Sequence, residues 1–281
     1  MKTNRIALAL SLLVGCAIAN INVVTAQTLT LVHTSDTHSC IEPISKNDIN
    51  PDQADKAGYM RRFVLLDELR QQYPDLLLLD CGDFSQGSVY YSLFKGEVEV
   101  KLMNEMHYDA CTIGNHEFDY GVENMARLFR MARFSIVCCN YDFTGTACEG
   151  LVKPYVIIER AGLRIGILGV APQLEGLVAK HTCEGVGYTR PAEAAQPVVD
   201  KLRTEEHCDV VVCLSHLGLT DGPDADPAFV RDTRGIDVVL GGHSHTYLEY
   251  ARYMPNADGR LIPVDHQGKN ARFLGVLRLD Y

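Results

Sequence analysis

Five apolar runs in this chain share one habit: each ends abruptly in polar side chains. They are LTLVHTSDTH (29–38), DLLLLDCGD (75–83), DACTIGNHE (109–117), DVVVCLSH (209–216) and IDVVLGGHSH (236–245). Apolar residues in unbroken succession, rather than in alternation, suit strands covered on both faces. Between these runs lie stretches with helical spacing. Residues 56–72 put Tyr59, Phe63, Leu66 and Leu69 on one side, and residues 121–132 place Val122, Met125 and Phe129 similarly. Residues 191–204 predict another helix, with Pro191 near its start. From residue 259 onward, GRLIPVDHQGKNARFLGVLRLDY predicts two closing strands separated by a loop. The polar segments 45–55 and 221–227 predict surface loops. Alternating strands and helices predict an α/β domain with a largely parallel central sheet. In such folds ligands bind beyond the carboxyl ends of the strands. All five polar clusters fall there.

The clusters contain Asp36, His38, Asp83, Asn115, His116, Asp119, His216, His243 and His245. They are carboxylates, imidazoles and one amide, without a thiolate. That donor set suits Mn, Zn, Fe or Co in nitrogen and oxygen coordination better than Ca or a zinc–thiolate site. A lone Asp or His at a strand end is commonly just exposed or capping. Their recurrence at five strand ends predicts a metal site. The other histidines read differently. His33 lies inside the first strand and is expected in the core or behind the site. His107, His181 and His207 read as surface positions, and His266 as a residue able to reach the site rim. Glu117 reads as structural.

Composition adds constraints. With 47% hydrophobic and 22% charged residues, the chain has globular rather than disordered or fibrous character. The first 26 residues stand apart. Lys2 and Arg5 precede the apolar run IALALSLLVGCAIAN, and VTAQ follows. This pattern predicts a secretory signal peptide cut after Ala26, and the run is too short and broken for a spanning helix. LVGC at 13–16 also resembles a lipoprotein box that would acylate Cys16, so an exported soluble form and a lipid-anchored form both stay open. Removing the signal takes two of the 26 basic residues and none of the 36 acidic ones, shifting the net charge from −10 to −12. Such a surface repels nucleic acid and anionic membranes. An anionic substrate therefore needs a local positive source. Ten cysteines, nine after cleavage, show no zinc spacing. Cys81, Cys111, Cys138 and Cys213 read as small core residues, while a disulfide among Cys139, Cys148 and Cys183 stays open.

HTSDTHS, LLDCGDFSQGS, YSLFKGEVEVKLMN, YDACTIGNHEFDYG, LSHLG and GIDVVLGGHSHT, together spanning roughly residues 28–281, carry a family resemblance. The chain resembles the catalytic domain of the 5′-nucleotidases and UDP-sugar hydrolases, within the calcineurin-like metallophosphatases. The resemblance implies a four-layer α/β/β/α sandwich holding two divalent ions. Asp36, His38 and His245 would hold the first, Asn115, His216 and His243 the second, and Asp83 would bridge both, with a bridging hydroxide as nucleophile. It implies that His116 points at the phosphate and that Asp119 orients it, although Asp119 also reads as an N-cap for the helix that follows. Gly82, Gly114, Gly241 and Gly242 are expected to keep the backbone tight beside the ligands. Family members commonly carry a second, C-terminal nucleotide-binding domain, which is expected to be absent here and supplied by a separate chain. The implied activity is hydrolysis of nucleoside 5′-monophosphates. Cleavage of 2′,3′-cyclic nucleotides or UDP-sugars, and a non-catalytic metal-binding subunit, are the alternatives.

Overall fold

The computed structural model of the chain describes residues 27–220 and 222–281. The expected signal peptide and Cys16 lie outside them. The first half of the fold lays down β1 (Thr28–Thr34), α1 (Tyr59–Gln72), β2 (Leu77–Asp80), α2 (Val89–Phe94), α3 (Glu97–Glu105), β3 (Ala110–Cys111), α4 (Gly121–Met131) and β4 (Ser135–Ile136). There follow β5 (Tyr141–Asp142), β6 (Tyr155–Arg160), β7 (Leu163–Val170), β8 (Gly187–Tyr188), α5 (Pro191–Thr204), β9 (Val210–Ser215), α6 (Asp226–Asp232) and β10 (Val238–Gly241). The chain closes with β11 (Arg252–Pro255), β12 (Leu261–His266) and β13 (Gly275–Asp280).

These strands form two principal sheets, not the one sheet that strand–helix alternation predicts. The first has the order β13-β1-β2-β3-β4, with β1 to β4 parallel and β13 antiparallel along the free edge of β1. The second has the order β11-β12-β10-β9-β7-β6, parallel at its centre with antiparallel strands at both edges. Side-chain alternation explains the arrangement. Leu29, Leu31, Leu77 and Leu79 of the first sheet share a buried core with Ile165, Ile167, Val210, Val212, Val238 and Leu240 of the second. The intervening residues point outward. Val32 and Leu78 pack with residues of α1, α3 and α4, and Val211, Cys213 and Val239 pack with residues of α5 and α6. Each central strand is therefore apolar on both faces, one face meeting a sheet and the other a helix. The result is the four-layer α/β/β/α sandwich.

The helices form where the spacing places them. Tyr59 and Leu66 of α1 are buried, with Phe63 and Leu69 packed at the margin of the same core. Val122, Met125 and Phe129 of α4 are buried beside them. Pro191 opens α5 at a position that needs no N–H donor. The nine cysteines among the described residues are all free, so no disulfide joins Cys139, Cys148 and Cys183. Cys81, Cys111, Cys138 and Cys213 are buried. No helix among the described residues is long and apolar enough to cross a membrane.

Candidate metal centre

The parallel strands of both sheets end on the same side of the molecule, and five of the loops beyond them converge. The loop after β1 brings Asp36 and His38, and that after β2 brings Asp83. The loop after β3 brings Asn115 and His116, that after β9 His216, and that after β10 His243 and His245. Two groups of possible metal donors result, Asp36–His38–His245 and Asp83–His216–His243, with donor atoms within 4.8 Å of one another in each. Each group draws on both sheets. Further contacts make the two groups one cluster. His216 Nε2 lies 3.9 Å from Asp36 Oδ1 and 3.1 Å from Asp83 Oδ2, and His38 Nε2 lies 3.0 Å from His245 Nε2.

The backbone that delivers these side chains is unusual. Asp36, His38, Asp83, His243 and His245 all have left-handed φ, between 44° and 73°. Non-glycine residues seldom adopt such φ, and the surrounding structure must hold them there. Cross-loop hydrogen bonds do so: Asp36 N–H donates to Gly82 O at 2.9 Å and His38 N–H to Asp83 O at 3.1 Å. Asp36 accepts His243 N–H, and Asp83 accepts His116 N–H at 2.9 Å. Close approach makes glycine necessary at two points. A Cβ on Gly114 would run into the Asp83 carboxylate, and one on Gly242 would meet Asp36 Oδ2 at 2.9 Å and His216 Nδ1 at 3.0 Å.

The donor atoms are oriented for a cation. His216 Nδ1 bonds Cys81 O at 2.6 Å, and His38 Nδ1 bonds Ser85 O at 3.2 Å. Only a protonated Nδ1 can donate to a carbonyl, so each ring turns its Nε2 to the centre. His216 Nε2 and Asn115 Oδ1 are buried and have no hydrogen-bond partner, even though Asp83 lies close to the former. Asn115 Oδ1 is an acceptor, and burying it unmet is costly unless something electropositive reaches it. On the protein's own charges, burial lifts Asp36 to about 7, opposed by His216 and reinforced by Asp83. Burial works against charge on His216, yet Asp83 and Asp36 drive its pKa up to about 10. Burial, then His216, holds His243 down at about 4, and burial, then Lys269, holds His245 at about 4. Buried carboxylates thus capture a proton on His216 that a divalent cation would displace. Nitrogen and oxygen donors in two groups, the unmet Asn115 Oδ1 and rings anchored through Nδ1 fit divalent ions of the Mn, Zn, Co or Fe kind.

His116 stands beside this cluster, its ring centroid 5.4 Å from that of His38. Its Nδ1 lies 3.1 Å from both oxygens of Asp119, and this hydrogen bond raises its pKa above the ordinary histidine value despite partial burial. Asp119 makes no capping bond to α4, so the N-cap reading fails and its carboxylate serves the imidazole. Glu117 is buried and accepts the N–H groups of Asp83, Gly114 and Ser85 at 3.0, 2.7 and 3.2 Å. It ties two site loops together and faces away from any ligand role. His33 is in the core against Asp265, 2.9 Å away, and His107, His181 and His207 are exposed. His266 is buried and bonds Asp226 at 2.7 Å, so it supports the centre from behind and does not reach the rim.

A cavity of about 580 Å³ opens beside His38, His116 and His245. Its far wall includes Ile41, Glu42, Val89 and Tyr90, and Lys269 lies along its edge. Glu42 accepts the Tyr90 hydroxyl at 2.8 Å. The sequence reading did not single out Lys269. Its signal was available: it follows a strand end, in the run VDHQGK.

Residues 29–247 match the family model described as calcineurin-like phosphoesterase. The human 5′-nucleotidase is 31% identical over 272 residues, covering 90% of this chain and 46% of the human one. Among solved structures, a 5′-nucleotidase precursor from Thermus thermophilus superposes with a TM-score of 0.83 at 30% identity, covering 90% of this chain and 51% of that one. A calcineurin-like phosphoesterase from Bacillus subtilis superposes with a TM-score of 0.76 at 26% identity, covering 91% of this chain and 86% of that one. The chain spans about half the length of the 5′-nucleotidases it matches.

Proposed function

The chain belongs to the calcineurin-like phosphoesterase family of metal-dependent phosphoric ester hydrolases, and from that premise we propose that it releases phosphate from nucleoside 5′-monophosphates. One observation carries the reading. Two donor groups, each drawn from both sheets, meet around the buried, unpartnered His216 Nε2 and Asn115 Oδ1. In this proposal Asp36, His38 and His245 hold one ion, Asn115, His216 and His243 hold the other, and Asp83 serves both. When bound, the ions lower the pKa of water at the site and neutralise phosphoryl oxygens for in-line displacement.

The chain's own residues do the rest. Four positive charges against Asp36 and Asp83 leave the centre positive within a protein of net charge −10, which supplies the local attraction a phosphate requires. Cys81 O and Ser85 O keep His216 and His38 in the tautomer that presents Nε2. His116, held by Asp119 through a hydrogen bond that favours its charged form, faces the phosphoryl group, stabilises its growing charge and passes a proton to the departing alkoxide. Lys269 adds a cation at the cavity edge. The cavity is large enough for a nucleoside-sized leaving group.

The 5′-nucleotidases it matches are about twice as long, so nucleotide preference is proposed to depend on a further domain, which a separate chain could supply. Export, through a signal cut after Ala26 or a lipid on Cys16, is the accompanying proposal. N-terminal sequencing and mass spectrometry of the natural protein test it, and an uncut, unmodified Met1 start would end it. The central test is phosphate release from AMP, UDP-glucose, 2′,3′-cyclic AMP and an aryl phosphate with added Mn²⁺. AMP turnover by this chain alone supports the nucleotidase reading and removes the need for a partner. Turnover of the activated aryl ester alone leaves a working centre that lacks its specificity element. Preferential cleavage of the cyclic or sugar nucleotide replaces the monophosphate assignment, and no turnover of any substrate refutes the function.

A further inference from the structure

Behind the metal centre, three elements share one buried carboxylate. Asp226 opens α6 and accepts a hydrogen bond on each oxygen. Oδ1 takes the hydroxyl of Ser215, at the end of β9, and Oδ2 takes His266 Nε2–H, 2.7 Å away at the end of β12. All three side chains are buried. A buried histidine–carboxylate pair is a weak source of stability, because apolar side chains of similar volume often fill a core as well. Its location offers a better account.

Ser215 immediately precedes His216, and its Oγ also accepts Leu217 N–H at 3.2 Å. The residues on both sides of His216 are thus tied to Asp226. Asp226 N–H donates to Gly218 O at 2.9 Å, which folds the start of the His216 loop back onto α6. Leu219 N–H donates to Ser244 Oγ at 2.9 Å, joining that loop to the one that carries His243. His266 acts on the same neighbour from the other side. It lies opposite Gly241 in the pairing of β10 with β12, and a Cβ on Gly241 would collide with its Nε2. Gly241 and Gly242 lead directly into His243. One carboxylate therefore braces the two backbone segments from which His216 and His243 project, and these two rings form one donor group with Asp83.

We propose that Asp226 and His266 are positioning residues for the ion of the His216–His243 group, acting through Ser215 and Gly241. The proposal rests on the two-ion reading of the centre. The other ion depends on them less, because Asp36 and His38 come from the first sheet and only His245 from the second. Groups that orient metal ligands from behind typically govern affinity by about 10–100-fold.

Titration of the chelator-stripped full chain with Co²⁺, followed by visible absorption and metal analysis, tests the proposal. His243→Ala removes one donor, so the spectrum that persists in it identifies the other ion. Asp226→Asn and His266→Leu are expected to weaken the His216–His243 ion by about 10–100-fold and to leave the other within about twofold. His266→Gln keeps an N–H donor for Asp226 and is expected to restore most of the affinity. Ser215→Ala removes a single hydroxyl and carries the test where the larger changes impair folding; it too is expected to weaken that ion alone. A pair that serves only the fold would lower the Tm of the metal-free chain and leave both affinities at the parent level. That result, an equal weakening of both ions, or a His266→Gln as weak as His266→Leu overturns the proposal. A parent chain that takes up fewer than two Co²⁺ ions overturns the two-ion reading and this proposal with it, whereas a two-ion parent with unchanged variants overturns the proposal alone.

Discussion

His116 is the side chain on which the proposed hydrolysis leans without holding an ion. His116→Ala is expected to lower kcat by about 10²–10⁴-fold while metal content stays at the parent level. An unchanged kcat removes its role. Asp119 acts through that imidazole. Its hydrogen bond raises the His116 pKa, so the imidazolium persists to higher pH than an ordinary histidine allows. A working imidazolium makes activity fall as pH rises through that pKa. Asp119→Asn lowers the pKa and moves this alkaline limb to lower pH, which a kcat–pH profile reads directly. Glu117 poses a different problem, because it accepts three backbone N–H groups in the interior. Glu117→Gln turns an NH₂ toward one or more of them. A loss of about 1–3 kcal/mol is expected by thermal or denaturant unfolding, with weaker metal binding. Stability and metal affinity equal to the parent would show that Glu117 is not the tie between the loops.

At the scale of elements, the sequence was most readable where strands are buried on both faces. The runs ending at His38, Asp83 and His216 are of this kind, and each proved to be a central strand with site residues beyond it. Leu163–Val170 is equally apolar, but it leads into Ala171 and Pro172 and so lacks the polar ending that marked the others. Without it, periodicity alone did not reveal the second sheet, where β7 lies between β9 and β6, and only the family resemblance implied two inner sheets. The pairing of β3 extends over only two residues, so the apolar run before Asn115 is chiefly loop. Helix α2 was illegible for another reason: Val89 and Leu93 are 65% and 68% exposed and only Tyr91 turns inward, so six residues give no repeating apolar pattern. The left-handed backbone of five donor residues is also invisible in residue type, since Asp and His carry no glycine-like signature. Helix α2 is fixed instead at its start, where Ser88 Oγ accepts Tyr90 N–H at 3.1 Å and Tyr91 N–H at 3.3 Å. Ser88→Ala is expected to cost about 1 kcal/mol, a fall in Tm of about 2–4 °C. A Tm unchanged within error removes this cap from the account.

For the whole molecule, the proposed ions would belong to the folding equilibrium as well as to the chemistry. At a hundredfold excess over Kd, each ion stabilises the native state by about 2.7 kcal/mol, so chelation is expected to lower Tm and Mn²⁺ to restore it. Equal Tm with and without chelator would contradict ion binding at the proposed donors. Each donor group takes residues from both sheets: Asp36 and His38 with His245, and Asp83 with His216 and His243. No ion can find its full set of donors until the two sheets have docked and the apolar layer between them has closed. We therefore predict that ions bind late on the folding route, after the rate-limiting step. Added metal should therefore slow unfolding in proportion to its stabilisation and leave the refolding rate nearly unchanged, a pattern that stopped-flow measurements in both directions would reveal. The two sheets would then owe their lifetime together, more than their first meeting, to the ions between their ends.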